Sequence, residues 1–328
     1  MKLPILSGGL LFLLVAATSF AAEPVASTVV PPGQAIVPAD SRKPWGELVS
    51  LDLKNRTGKF RNESTDEVWD FVVEPYAELL HHGAEGDLQD FTVGERAIFR
   101  CHPGAQGQPW RLTYIQSEIN FLNGHKEFFF VDKIEGTPTS GKRARLTCKQ
   151  ANADQSYVRT PELFIDVDEN TKYFRNGEPA AFADLKVGDP IQTKTRGTGK
   201  GKDRIATYVF LDVASLQKFG EQQRPIHAQR MRDEGLAGFV DTVDDGTIHL
   251  TLFRETGTWA KKLKPGMKVK LAAAGPDRQA LHPPVEFDVA AAKMLGVHGK
   301  VSLTVSSAVP TGVKPTAVVR LFAPQVFE

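Results

Sequence analysis

The sequence predicts a mostly β protein made of three tandem small barrels with one short connecting helix. Two patterns carry this expectation. From Trp45 onward, short runs of alternating apolar and polar residues are separated by Gly, Asn, Asp and Pro clusters, the texture of half-buried strands. A turn-and-strand element also recurs: Asp90-Phe91-Thr92-Val93-Gly94-Glu95, then Asp184-Leu185-Lys186-Val187-Gly188-Asp189, and more loosely Lys262-Leu263-Lys264-Pro265-Gly266-Met267. Gly94, Gly188 and Gly266 suit a turn that needs positive φ. Inward candidates follow at alternate positions: Ala97 and Phe99, Ile191 and Thr193, Val269 and Leu271. Three copies imply three barrels.

In chain order, Lys2 precedes an apolar run from Leu10 to Ala17 and the small residues Ser19 and Ala21. That is the pattern of a secretory signal over residues 1–21, with the mature chain starting at Ala22. The apolar run is shorter than the ~20 residues a spanning helix needs. No transmembrane anchor is therefore expected after cleavage, and the expected location is periplasmic or secreted. Residues 22–44, rich in Pro, Val, Ala and Ser, read as a linker.

Barrels are expected over 45–135, 136–215 and 235–328, with a helical connector over 216–234. Pro225 suits a first helical position and Gly235 a helix stop. In the first barrel Val49, Leu51 and Leu53 alternate up to a turn at Asn55-Arg56-Thr57-Gly58, and Pro75–His82 reads as a short helix. In the third, Phe239–Val243 leads through Asp244-Asp245-Gly246 into Ile248, Leu250 and Leu252, a strong hairpin signal.

Strand, tight hairpin, strand, optional helix, then a Leu-Lys-Val-Gly-Asp turn into another strand resembles the oligonucleotide/oligosaccharide-binding (OB) barrel, including its S1-type branch. The arrangement is most similar to tandem OB-like repeats of exported bacterial proteins of unknown function, over most of residues 45–328. The resemblance implies three OB-like barrels. It also implies a binding surface on the strand 2–3 face and on the loops joining strands 1–2 and 4–5. It brings no catalytic residue with it.

Lys and Arg number 40, Asp and Glu 39, and Lys2 is the only charged residue of the signal, so the mature chain is balanced. A global field for nucleic acid is absent. Cys101 and Cys148 fit no metal or redox spacing, and each ends an alternating run with its thiol inward. A disulfide, which export would permit, and two separate buried thiols both remain open.

One loop stands out. Lys194, Arg196, Lys200, Lys202 and Arg204 face a single acid, Asp203, in the segment that an OB-like barrel would use to join strands 4 and 5. It is a candidate ligand loop for a polyanion. Arg196 and Asp203 stand where a phosphate-binding P-loop needs Gly and Ser/Thr, so it is not that motif. Glu74, Glu78 and His82 would align on one helical face as metal ligands, with His81 pointing elsewhere, although a helix ending in histidine equally suits the macrodipole. Asp166, Asp168 and Asn170 open like a calcium loop, but Thr171 occupies its glycine position. Three consecutive phenylalanines, Phe128 to Phe130, cannot all face one side of a strand.

The chain lacks Gly-x-Ser-x-Gly, His-Glu-x-x-His and Cys-x-x-Cys-His motifs. The expected function is an exported non-enzymatic binding or structural module of the cell envelope or extracellular space. No cofactor is expected, and the partner would be an unknown envelope protein or polysaccharide. One alternative is a polyanion or nucleic-acid binder acting through basic barrel loops. The other is a hydrolase-type enzyme with a carboxylate site.

Overall fold

A computed structural model describes residues 41–328 except 105–106, 126, 153–157, 198–203, 245, 276–278, 297 and 305–307. The expected signal and most of the expected linker lie outside the described residues. The chain is mostly β and forms three closed small barrels.

The first barrel contains β1 (Trp45–Asp52), β2 (Thr57–Asn62), β3 (Val68–His81), the short β4 (Ala84–Glu85), β5 (Arg96–His102) and β6 (Trp110–Ser117). β1, β2 and β3 form an antiparallel meander, β3 runs parallel to β6, and β6 returns through β5 to β1. This is a five-stranded closure of the OB type. Pairing starts before β1, since Arg42 and Cys101 exchange backbone hydrogen bonds of 2.8 and 2.9 Å, so the end of the segment read as linker joins the barrel. Phe60, Phe71, Val73, Phe99 and Leu112 fill the core, with Phe60 and Phe99 stacked at 4.2 Å.

Two local expectations are corrected here. Pro75–His82 is not a helix: residues 75–81 are the second half of β3, with Ala77 and Leu79 facing the core, and His82 begins the turn that follows. Pro75 sits where the pairing of β3 with β6 slips between Val73 and Glu78, an irregularity that accommodates a residue without an N–H. In β1 a bulge between Leu48 and Ser50 interrupts the alternation, so Leu48 and Leu51 both reach the core.

The helix α1 (Glu118–Gly124) leads into the second barrel, built from β7 (Glu127–Glu135), β8 (Ala144–Asn152), β9 (Val158–Val167), β10 (Lys172–Arg175), β11 (Glu178–Ala180), β12 (Pro190–Gly197) and β13 (Arg204–Phe210). Its closure repeats that of the first. β7, β8 and β9 form a meander, β9 meets β13 in parallel, and β13 returns through β12 to β7. Because β7 pairs, among the described residues, with β8 and β12 of this barrel, residues 127–135 belong to it, and the boundary drawn at 135/136 moves ahead of β7. Val131 is buried in its core with Phe129 packed against it, which settles the orientation of the phenylalanine run.

Between the second and third barrels, α2 (Val213–Glu234) is longer than expected. Asp212 caps it by accepting from Ser215 N at 2.7 Å, and Gly235 ends it at φ 80°. Pro225 therefore lies inside the helix, on an exposed face, and not at its first position. Among the described residues no helix is long and apolar enough to cross a membrane.

The third barrel contains β14 (Leu236–Asp244), β15 (Thr247–Leu252), a short helix α3 (Gly257–Ala260), β16 (Lys268–Ala273), β17 (Val285–Leu295), β18 (His298–Thr304) and β19 (Val318–Phe322). It closes in the order β14-β15-β18-β17-β16-β19, antiparallel throughout. Exchanging β14, β15 and β16 with β17, β18 and β19 reproduces every pairing, so this barrel has an internal two-fold.

One device recurs through all three barrels. In the first, Gly94 N donates to Leu48 O at 2.7 Å and Leu48 N donates to Glu95 O at 2.9 Å. In the second, Gly188 N donates to Val131 O at 2.7 Å and Val131 N to Asp189 O at 3.1 Å. In both, the acceptor is a bulge residue of the barrel's first strand. Gly266 N donates to Val289 O at 2.8 Å and Val289 N to Met267 O at 2.9 Å, the same pair of bonds made with β17, the bulged strand of the opposite half-barrel. The bulge of β14 is met instead by Val313-Lys314-Pro315-Thr316-Ala317, whose Thr316 N donates to Val240 O at 2.8 Å. The chain thus holds a fourth copy of the turn, with Thr316 at φ 70° in the glycine position.

Candidate functional site at the barrel junctions

The residues with chemistry to offer gather where barrels and helices meet. Between the first and second barrels, Arg96 of β5 is buried and extends its guanidinium to Glu63 (2.8 Å), Glu118 (3.0 Å) and the backbone oxygens of Lys194 (3.4 Å) and Thr195 (3.2 Å). The same guanidinium lies 4.3 Å from the Trp45 ring centroid. Glu118 is almost sealed, and burial pushes its carboxyl up to about 7 although Arg96 pulls the other way.

This junction takes up the start of the candidate ligand loop. Lys194 places its ammonium 5.8 Å from both the Trp45 and Phe121 rings, and Arg196 donates to Glu47 at 2.9 Å. β12 and β13 do form the expected hairpin joining the fourth and fifth principal strands. Lys200, Lys202 and the side chain of Arg204 lie outside the described residues.

Between the first and third barrels, Arg56 donates to Glu255 at 2.5 Å and covers the Phe253 ring, while Arg254 pairs with Glu78 at 2.7 Å. α2 lies along this seam. His227 Nε2 stands 2.9 Å from Glu255 O, Arg230 pairs with Asp90 at 2.7 Å, and Glu234 pairs with Arg320 at 3.1 Å.

The expected alignment of Glu74, Glu78 and His82 is not formed, because these residues lie on and just after a strand. Glu74 pairs with Arg111 across β3 and β6, Glu78 reaches the third barrel, and only His82 remains. Its neighbours are His81 and Glu95, and the ligand atoms of the three lie within 4.8 Å of one another. Burial pulls His81 down, but the Glu95 carboxylate and the Gln223 amide more than offset it, so its pKa stands raised. Burial, then the His81 charge, takes His82 down to about 3. Glu95 escaped sequence reasoning because it belongs to the turn motif, where its other oxygen accepts from Thr92 N at 3.1 Å. Nothing local signals that this turn folds against the end of β3.

The tryptophans split between cores and seams. Trp69 and Trp110 stack at 4.3 Å at the edge of the first core, with Arg42 5.2 Å from the Trp110 centroid, and Trp259 packs on the third core. Asp166, of the calcium-like segment, accepts from Arg145 at 2.8 and 3.1 Å. Lys268 pairs with Asp288 across β16 and β17. The two cysteines are separate free thiols, Cys101 in the first core and Cys148 in the second, which closes the disulfide alternative in this structure.

No protein-family model matches the chain, and no curated protein does. Among solved structures the chain is similar to one described as "drosophila Unr CSD456", at 12% identity and a TM-score of 0.19, over 52% of this chain and 63% of that one. The chain therefore spans less than two thirds of the matched structure, and its fold is read from its own strand order.

Proposed function

We propose that the chain is an exported, non-enzymatic binding or structural module of the cell envelope or extracellular space, presenting loops from three barrels held in fixed relation. What supports this reading is the Arg96 bridge, which ties the first barrel to Glu118 of α1 and to two backbone carbonyls of the second barrel. Val93 and Val187, exposed at equivalent turns of the first and second barrels, are natural reporter positions. A photoreactive residue at either, in cells making the full chain, should yield a discrete adduct with an envelope protein or polysaccharide after fractionation. A chain retained in the cytoplasm, or no adduct from either position, would refute the reading.

A second reading is a polyanion binder, favoured by the β12–β13 hairpin standing at the strand 4–5 position. With Lys194 and Arg196 engaged by the first barrel, its charge falls to Lys200, Lys202 and Arg204. Heparin binding should then lose about 1.4–1.8 from its logarithmic salt slope in the Lys200→Ser/Lys202→Ser variant. No retention at low salt dismisses this reading.

A further inference from the structure

We propose that His81, His82 and Glu95 form a binding site for a divalent transition-metal ion of the zinc class, in the seam between the first barrel and α2. Two imidazoles and one carboxylate make a nitrogen-rich donor set suited to zinc and its neighbours, whereas calcium and magnesium take oxygen ligands. Three protein ligands leave a fourth position for water. This assignment is independent of the binding role proposed above.

The spacing of the first two ligands is informative. His81 Nε2 and Glu95 Oε1 stand 3.3 Å apart. A charge-assisted hydrogen bond between them would bring the atoms to about 2.7–2.9 Å. Glu95 Oε1 instead faces His81 without a hydrogen bond of normal geometry and has no other hydrogen-bond partner among the described residues, on a side chain only 7% exposed. A tetrahedral ion with bonds of about 2.0–2.1 Å holds neighbouring ligand atoms about 3.3 Å apart. The gap therefore has the width of an ion's coordination edge.

The supports around the ligands have the same sense. Gln223 Oε1 lies 3.2 Å from His81 Nδ1, and an amide oxygen can only accept, so Nδ1 is the donor in that contact and Nε2, the nitrogen facing Glu95, is the one an ion would engage on displacing its proton. A metal-binding histidine is held in this way by an outer partner on its second nitrogen. Thr92 N fixes the other Glu95 oxygen. Neighbouring strand residues would send their side chains to opposite faces. His82 departs from this by taking φ 48°, a left-handed conformation costly for a non-glycine residue, and its N–H is held by Ser117 Oγ at 3.0 Å. The two rings end stacked at 3.6 Å, with no hydrogen-bond partner to hold the His82 ring in that pose among the bonds of the described residues. Ion binding turns the His82 ring out of the stack so that one nitrogen completes the site.

The test uses the full mature chain stripped with chelator, dialysed against zinc chloride and assayed by mass spectrometry, with a chromophoric zinc indicator as competitor. Wild type should hold one zinc per chain, and cobalt substitution should give the visible bands of a four-coordinate ion. His82→Asn, which keeps a residue tolerant of positive φ, and Glu95→Gln should each weaken binding at least tenfold while far-ultraviolet circular dichroism stays unchanged. His249→Asn, at a half-buried histidine of the third barrel, should bind like wild type. Zinc no higher in the protein than in the dialysis buffer, or undiminished binding by a folded His82→Asn variant, would overturn the assignment.

Discussion

Arg56 and Glu255 meet at 2.5 Å between the first and third barrels with only 3% and 1% of their side chains exposed. Arg56 reaches across from the β1–β2 turn, where its backbone takes φ 54°. Among the described residues its Nε and Nη2 and the second Glu255 oxygen have no hydrogen-bond partner, so one bond and the Phe253 ring carry the contact. Removing one member of a buried pair strands the other charge, typically at about 3–5 kcal/mol. Arg56→Ala should therefore destabilise the protein by an amount in this range, and Arg56→Met/Glu255→Leu should regain most of it. Urea unfolding of the three proteins checks this. A double variant no more stable than the single one would place the loss elsewhere.

Glu118 makes stability fall as pH rises. Its folded pKa, about 7, lies above the unfolded carboxylate value, so between about pH 4.5 and pH 7 the folded state holds the extra proton. Stability from this group is fully present below the unfolded pKa and is lost as pH climbs through the folded one. The effect is up to about 3 kcal/mol, at 1.36 kcal/mol per unit. Unfolding free energies at pH 5 and pH 7.5 should differ less in Glu118→Gln than in wild type by an amount of that order. Equal pH dependence in both proteins would contradict the assignment.

The two-fold of the third barrel can be tested by exchanging its turn residues. Thr316 is β-branched and held at φ 70°, while Gly266, at φ 83°, has open space for 4 Å around the point where a Cβ would stand. Thr316→Gly should raise stability by about 1 kcal/mol, and Gly266→Thr should lower it by about 1–2 kcal/mol, through backbone strain alone. Thermal melts decide the signs, and a destabilising Thr316→Gly would show that the Thr side chain outweighs its backbone.

Cys101 and Cys148 should be inert in the native protein. Burial pushes both thiols up to about 12, and the thiolate is the reactive form. Reaction with a thiol-specific chromophore at pH 8 should be negligible in buffer and reach two thiols per chain in guanidinium. Rapid native labelling of either would mean that its barrel opens.

How much was legible follows from the range of each interaction. The inward residues after each turn glycine were readable because a strand's period depends on the residue two positions away, and Ala97, Phe99, Ile191, Thr193, Val269 and Leu271 are all buried. The bulges at Leu48, Val131 and Val240 were not readable, since a bulge is decided by the strand or turn that pairs with it. Pro75 misled for the same reason, because a pairing slip in β3 and a helix start both accept a residue without a donor.

By itself, then, the sequence determined the mostly β character, three barrels and three of the four glycine-type turns, because alternation and positive φ are written in neighbouring residues. Thr316 concealed the fourth turn, since the pair of bonds that Thr316 N and Ala317 O make with Val240 holds a threonine in a glycine conformation. Tertiary structure alone decided the junctions. Arg56 and Glu255 are 199 residues apart in the chain, and Glu95 reaches His81 only because a turn packs against the end of β3. Pairs of that kind are selected by burial and charge once the barrels dock, and no local pattern announces them.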